Sequence, residues 1–113
     1  MKKYERVFAD IVKLLKDRKA ETLVKLDFSG SSFYTENFLI ATAQSSSHLS
    51  ALHAELRRLS KTKKFLIYSE SMEWSSGWVI MDLGRTIVHL FLKDARENYD
   101  LENLWGDIPR MDL

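Results

Sequence analysis

The stretch Phe38-Leu39-Ile40-Ala41-Thr42-Ala43 carries no charge on either of its alternating sides. Side chains along a strand point to opposite faces in turn, so a strand that is apolar at both parities suits a central position covered on both faces. The sheet around it then needs layers above and below. Two helical patterns can supply them. Tyr4, Val7, Phe8, Ile11, Leu14 and Leu15 recur at helical spacing, with Lys13, Lys16 and Asp17 on the opposite side. After the apolar strand, Ser45, Ser46 or Ser47 can accept a free amide hydrogen bond and cap a second helix. That helix puts Leu49, Leu52, Leu56 and Leu59 on one stripe and Arg57, Arg58 and Lys61 outside.

The rest of the chain reads as shorter elements. Thr22–Phe28 alternates Val24, Leu26 and Phe28 against Lys25 and Asp27, the pattern of a half-buried strand. Phe65–Tyr68 reads as a short strand and Ser69–Gly77 as a loop. Trp78–Asp82 and Thr86–Leu92 read as strands joined tightly around Leu83-Gly84-Arg85, a hairpin signal. Asp94 and Glu97 then read as a capping pair. Tyr99, Leu101, Leu104 and Trp105 follow as a short helical stretch, ended by Gly106 and Pro109. The predicted order is α β β α β β β α. It describes one α/β domain over residues 1–113, a mixed five-stranded sheet with helices packed on it.

Composition removes several function classes. The chain has 113 residues and no cysteine, so it has no disulfide framework, thiolate metal site or thiol nucleophile. Its longest apolar stretch is too short to cross a bilayer, and acids follow the basic start at once, unlike a signal peptide. The expectation is a soluble, cytoplasmic domain with no membrane contact. Net charge is +1, below what phosphate-dominated nucleic-acid binders carry. The charge is polarised: residues 55–64 hold five bases and one acid, and residues 94–113 hold six acids and two bases.

Catalytic patterns are weak. His48 and His53 stand on different sides of their helix and cannot share a metal at that spacing. His89, in the last long strand, could face Asp82 across the hairpin, a contact read as structural rather than catalytic. Gly30-Ser31 after a strand is reminiscent of the phosphate-gripping turn of nucleotidyltransferases. Those enzymes need paired carboxylates on a neighbouring strand to hold magnesium, and Ile40-Ala41-Thr42-Ala43 offers none. The serine clusters are therefore read as turn and cap chemistry, with no enzyme activity, cofactor or metal expected. What remains is the hairpin. Val79, Met81 and Leu83 form an all-apolar set suited to the core, while Trp78, Ile80 and Asp82 form a mixed face suited to a protein interface. The competing reading has the Met72–Trp74 loop cover Trp78.

These residues resemble the ribosomal silencing factors, also called the Iojap family. The resemblance rests on Leu26-Asp27, Phe38-Leu39-Ile40-Ala41-Thr42, Gly77-Trp78-Val79-Ile80-Met81-Asp82-Leu83-Gly84, Val88-His89-Leu90-Phe91, and a C-terminal run. That run comprises Arg96, Tyr99-Asp100-Leu101-Glu102, Leu104-Trp105-Gly106-Asp107 and Pro109. Their order and spacing cover the chain from the first helix to the last residues. Departures from the family pattern fall at Glu36, Asn37, Ala43, Ser47 and Arg85. The resemblance implies a nucleotidyltransferase-like fold without catalytic residues, and binding to the large ribosomal subunit through ribosomal protein L-fourteen. A domain docked there blocks the small subunit by occupied volume and represses translation when nutrients are scarce. Organelle relatives assist large-subunit assembly. By position, the implied partner-binding residues are Trp78, Ile80, Asp82, Leu83 and Gly84, with His89 and Arg96 beside them. Contact with ribosomal RNA and homodimer formation are further expectations left open by the resemblance.

Overall fold

A computed structural model describes residues 2–113 as one mixed sheet between two layers. Helix α1 (Lys3–Asp17) leads into β1 (Glu21–Asp27) and β2 (Asn37–Ala43), and helix α2 (Ser46–Lys63) follows. Strands β3 (Ser69–Glu73), β4 (Trp78–Asp82) and β5 (Thr86–Leu92) come next. Two short helices, α3 (Lys93–Tyr99) and α4 (Leu101–Leu104), and a last strand, β6 (Arg110–Asp112), complete the chain. The sheet has six strands in the order β3-β4-β5-β2-β1-β6, with only the β2–β5 pair parallel.

The apolar strand lies inside the sheet, between β1 and β5. Leu39, Ala41 and Ala43 face the first layer, where they meet Ile11 and Leu15 of α1 and Leu49, Leu52 and Leu56 of α2. Phe38 and Ile40 face the second layer, built from Phe28, Ala95 and Leu101 with Phe33 and Trp105 packed against them. Phe28 holds that layer together, its ring centroid 4.6 Å from Phe38, 5.0 Å from Phe33 and 5.1 Å from Trp105. Removing this apolar area from water on both faces is what makes a strand without charged positions stable here. Ser45 caps α2 by accepting a 3.1 Å hydrogen bond from the His48 amide. Leu59 of the expected stripe is only partly buried at its edge.

Three sequence expectations are corrected. The sheet has six strands rather than five, because β6 pairs onto the outer edge of β1. Phe65–Tyr68 forms no strand, and β3 begins instead at Ser69, inside the expected loop. The reason is register: β4 ends at Asp82, opposite Ser69, so residues further back find no ladder beyond the Tyr68 amide on the Asp82 carbonyl. Asp94 and Glu97 do not cap α3. The cap position is Leu92, so Asp94 already lies in the first helical turn, where its charge complements the helix dipole.

Candidate functional site

The hairpin of β4 and β5 closes through two residues, with the Leu83 amide on the Thr86 carbonyl at 2.8 Å. Gly84 is the first of the two and has φ +87, a conformation that glycine adopts without the steric cost a Cβ would bring. A Cβ there would also stand 2.9 Å from the Tyr68 ring. Counting back from this turn pairs Asp82 with Ile87, Ile80 with His89 and Trp78 with Phe91. The expected His89–Asp82 pairing is therefore corrected, since it is two residues out of register. Asp82 serves the turn instead: Oδ1 accepts from the Gly84 amide at 2.8 Å, and Oδ2 accepts from the Tyr34 hydroxyl at 3.3 Å.

Alternation sends Val79 and Met81 fully into the α1–α2 layer, with Leu83 partly buried at its margin. Trp78, Ile80 and Asp82 point to the other side and are all half-buried. Helices α3 and α4 cover β5 and β2 on that side but stop short of the sheet edge. Beyond β4 the same face presents Ser69, Ser71 and Glu73 of β3, paired with Asp82, Ile80 and Trp78 and all exposed. The row on β4 is thus the margin between covered and open sheet. Exposed tyrosines flank it, Tyr34 near Asp82 and Tyr99 over Trp78.

Trp78 is not covered by the Met72–Trp74 segment. Trp74 lies edge-on to His53 on the α2 side of the sheet, where His53 and Arg57 both bond the Glu70 carboxylate. The indole of Trp78 instead stacks on Phe91 at 5.0 Å and meets Tyr99 at 4.2 Å. Its Nε1–H donates to His89 Nδ1 at 3.2 Å.

His89 and Arg96 are placed differently from the other five residues. His89 is 5% exposed and Arg96 8%, so both are buried. Burial among aromatic rings pushes the His89 imidazole down to about 3, which keeps it neutral. Arg96 ties elements together: Nη1 donates to the Thr22 carbonyl at 2.6 Å and Thr42 Oγ1 at 2.8 Å, and Nη2 reaches Glu102 at 3.3 Å. Thr22 has φ +50 at a bulge in β1, so the guanidinium bonds a strained turn of the strand. Arg96 borders an open cleft of about 900 Å³ at the far end of the sheet from Gly84. Trp78, Ile80, Asp82, Leu83 and Gly84 are contiguous along β4 and its turn; His89 lies behind them and Arg96 apart.

Gly30-Ser31 lies in the loop after β1. Ser31 Oγ donates to the Phe28 carbonyl at 2.8 Å and accepts from the Phe33 amide at 3.1 Å, so the hydroxyl is occupied by the turn. Tyr34 and Tyr99 neighbour the row without being among the expected partner-binding residues, Tyr99 being read only as part of the C-terminal helical stretch and the family run. Neither sits in a periodic pattern that marks a sheet face, and only the fold brings them to β4.

A family model described as ribosomal silencing factor during starvation matches residues 2–113. The chain is similar to the ribosomal silencing factor RsfS of Halalkalibacterium halodurans, at 36% identity over 102 residues, covering 90% of this chain and 87% of that one. It is 30% identical over 102 residues to the mouse protein named mitochondrial assembly of ribosomal large subunit protein 1, covering 84% of this chain and 43% of that one. Among solved structures, a protein from Bacillus halodurans superposes with a TM-score of 0.81 at 32% identity, covering 96% of this chain and 99% of that one.

Proposed function

From the premise that this chain belongs to the ribosomal silencing factor family, which the match over residues 2–113 establishes, we propose how it acts on the ribosome. It is a ribosome-associated regulator of translation that docks on the large subunit through ribosomal protein L-fourteen. Once docked, it keeps the small subunit away by occupied volume. It works in the cytoplasm, as a nucleotidyltransferase-like scaffold used without catalysis. The observation that supports a docking role is the β4 row, where a tryptophan, an isoleucine and a carboxylate lie half-buried at the margin of uncovered sheet. Aromatic anchors beside desolvated polar groups are the composition of interface centres. A carboxylate at its end suits a basic partner.

Direct binding to ribosomal RNA is the weaker reading. Of the five bases at 55–64, Arg57 pairs with Glu70, Arg58 with Glu55 and Lys63 with Asp10, which lowers the positive field a phosphate backbone needs. A role in large-subunit assembly has one specific support, the name of the mouse relative, and uses the same docking surface. The test is a pull-down of purified ribosomal protein L-fourteen beside naked ribosomal RNA, followed by a subunit-joining assay. The expected result is retention of the protein with moderate salt sensitivity and loss of joining. Retention of RNA alone, or saturable binding of magnesium and nucleoside triphosphate, would displace this reading.

A further inference from the structure

His89 is an expensive residue for the place it occupies. Its ring lies among Phe38, Phe91 and Trp78, with centroids 4.6, 6.1 and 5.9 Å away. Nδ1 accepts the indole N–H of Trp78, so in the neutral ring the proton sits on Nε2. That Nε2 is buried and has no hydrogen-bond partner among the described residues. A buried donor left without a partner destabilises the fold, and a phenylalanine or leucine would fill the site without one. The imidazole makes a single hydrogen bond among the described residues, and its donor is the one aromatic residue of the β4 row. The stacking of Phe91 on Trp78, with Tyr99 tilted against it at 4.2 Å, constrains the plane of the indole. A stack alone leaves open which edge turns inward, and the Nε1–H bond settles that.

We propose that His89 is a positioning residue for docking: by accepting the indole N–H it turns the pyrrole edge of Trp78 inward and presents the opposite edge in one orientation to the partner. This rests on the reading of the β4 row as the docking surface. Holding the indole in one rotamer before contact removes an ordering cost that a free side chain would meet on binding.

The test begins on the wild-type protein, by long-range proton–nitrogen correlation of the His89 ring and by water exchange of the indole N–H groups. A Trp78→Phe variant assigns the Trp78 signal. The expected result is protonation on Nε2, an acceptor Nδ1 whose shift moves in Trp78→Phe, and slower exchange for Trp78 than for the exposed Trp74. His89→Phe should then speed indole exchange and weaken binding to ribosomal protein L-fourteen by roughly three- to tenfold, the scale of one neutral hydrogen bond. His89→Asn, whose amide oxygen stands near the position of Nδ1, should restore much of both. His89→Gln, whose amide stands near Nε2, should not.

A wild-type ring protonated on Nδ1 overturns the proposal, as does Trp78 exchange as fast as that of Trp74. If His89→Phe does not fold, those two wild-type measurements decide. A folded His89→Phe that binds at full strength overturns it while Trp78→Ala is weak, and the docking reading survives. If Trp78→Ala itself binds at full strength, the docking reading has failed and the inference fails with it.

Discussion

At the scale of single residues, Trp78 is both an interface candidate and a packing element. Trp78→Ala should lose ~2–4 kcal/mol of docking free energy, as central aromatic anchors do. That corresponds to about 30- to 1000-fold in affinity for ribosomal protein L-fourteen. Because the indole also rests on Phe91 and Tyr99, the variant should melt earlier yet remain folded, which circular dichroism beside the binding assay would check. A folded variant that still blocks subunit joining would place the interface elsewhere. Asp82 calls for a gentler change. Its Oδ1 holds the Gly84 amide, so Asp82→Asn removes charge while keeping an acceptor for the turn. His89 makes a separate prediction about pH. Its folded value near 3 lies below the ordinary 6.5, so between those values the unfolded chain binds a proton that the folded one refuses. The resulting stability is complete above pH 6.5 and is lost as pH falls, at about 1.4 kcal/mol per pH unit. Urea titrations from pH 7 to 5 should show stability falling ever more steeply toward that limiting slope, and His89→Asn should flatten the fall.

At the scale of elements, legibility followed periodicity. The helix α1 and the hairpin are readable because apolar residues recur at 3.6 or 2.0 residues over several positions, and the central strand because it is apolar at both parities. The hairpin register was also available, since a two-residue turn at Gly84-Arg85 fixes every pair behind it, and Ile80 rather than Asp82 then faces His89. Strands β3 and β6 were not legible. Ser69–Glu73 is an exposed edge of serines and glutamates, and Arg110–Asp112 is three exposed residues, so neither carries a buried face that alternation could mark. The candidate site was half legible for a related reason. The row on β4 could be read from alternation, but whether a residue on β5 or α3 lies open or beneath a neighbour depends on layers assembled from distant segments. His89 and Arg96 enter the expected set only by position in the family resemblance, and both are buried. The α2 stripe supports an element-scale prediction. Leu52 is 1% exposed between α1 and the sheet, so Leu52→Ala should cost ~2–5 kcal/mol in chemical denaturation. The docking affinity of the molecules still folded should not change, which separates core loss from interface loss.

At the scale of the whole molecule, the body measures 34 × 33 × 23 Å, thick enough that anything seated beneath it cannot close against the same surface. That is the volume on which the proposed exclusion of the small subunit rests. The sheet holding this body together is assembled from distant parts of the chain: the Thr86 hydroxyl bonds Asn37 across 49 residues, and Arg96 bonds Thr22 across 74. Strand β6 goes further and pairs Arg110, Met111 and Asp112 with Leu26, Lys25 and Val24, while the Leu113 amide bonds the Leu23 carbonyl at 3.0 Å. Deleting residues 110–113 should remove about 1–3 kcal/mol through the Leu113 side chain alone. It should also uncover the β1 edge, so that size-exclusion profiles shift to larger species as concentration rises. The same pairing sets a schedule for the newborn chain. Synthesis runs from the N-terminus at about 5–20 residues per second, and β1 is made long before its outer neighbour exists. Until Arg110–Leu113 are made, β1 carries an unmet row of amides and carbonyls on that edge, so a chain stalled or cut before them is left open to self-association. Residues 110–113 thus close an edge that β1 would otherwise offer to a second chain.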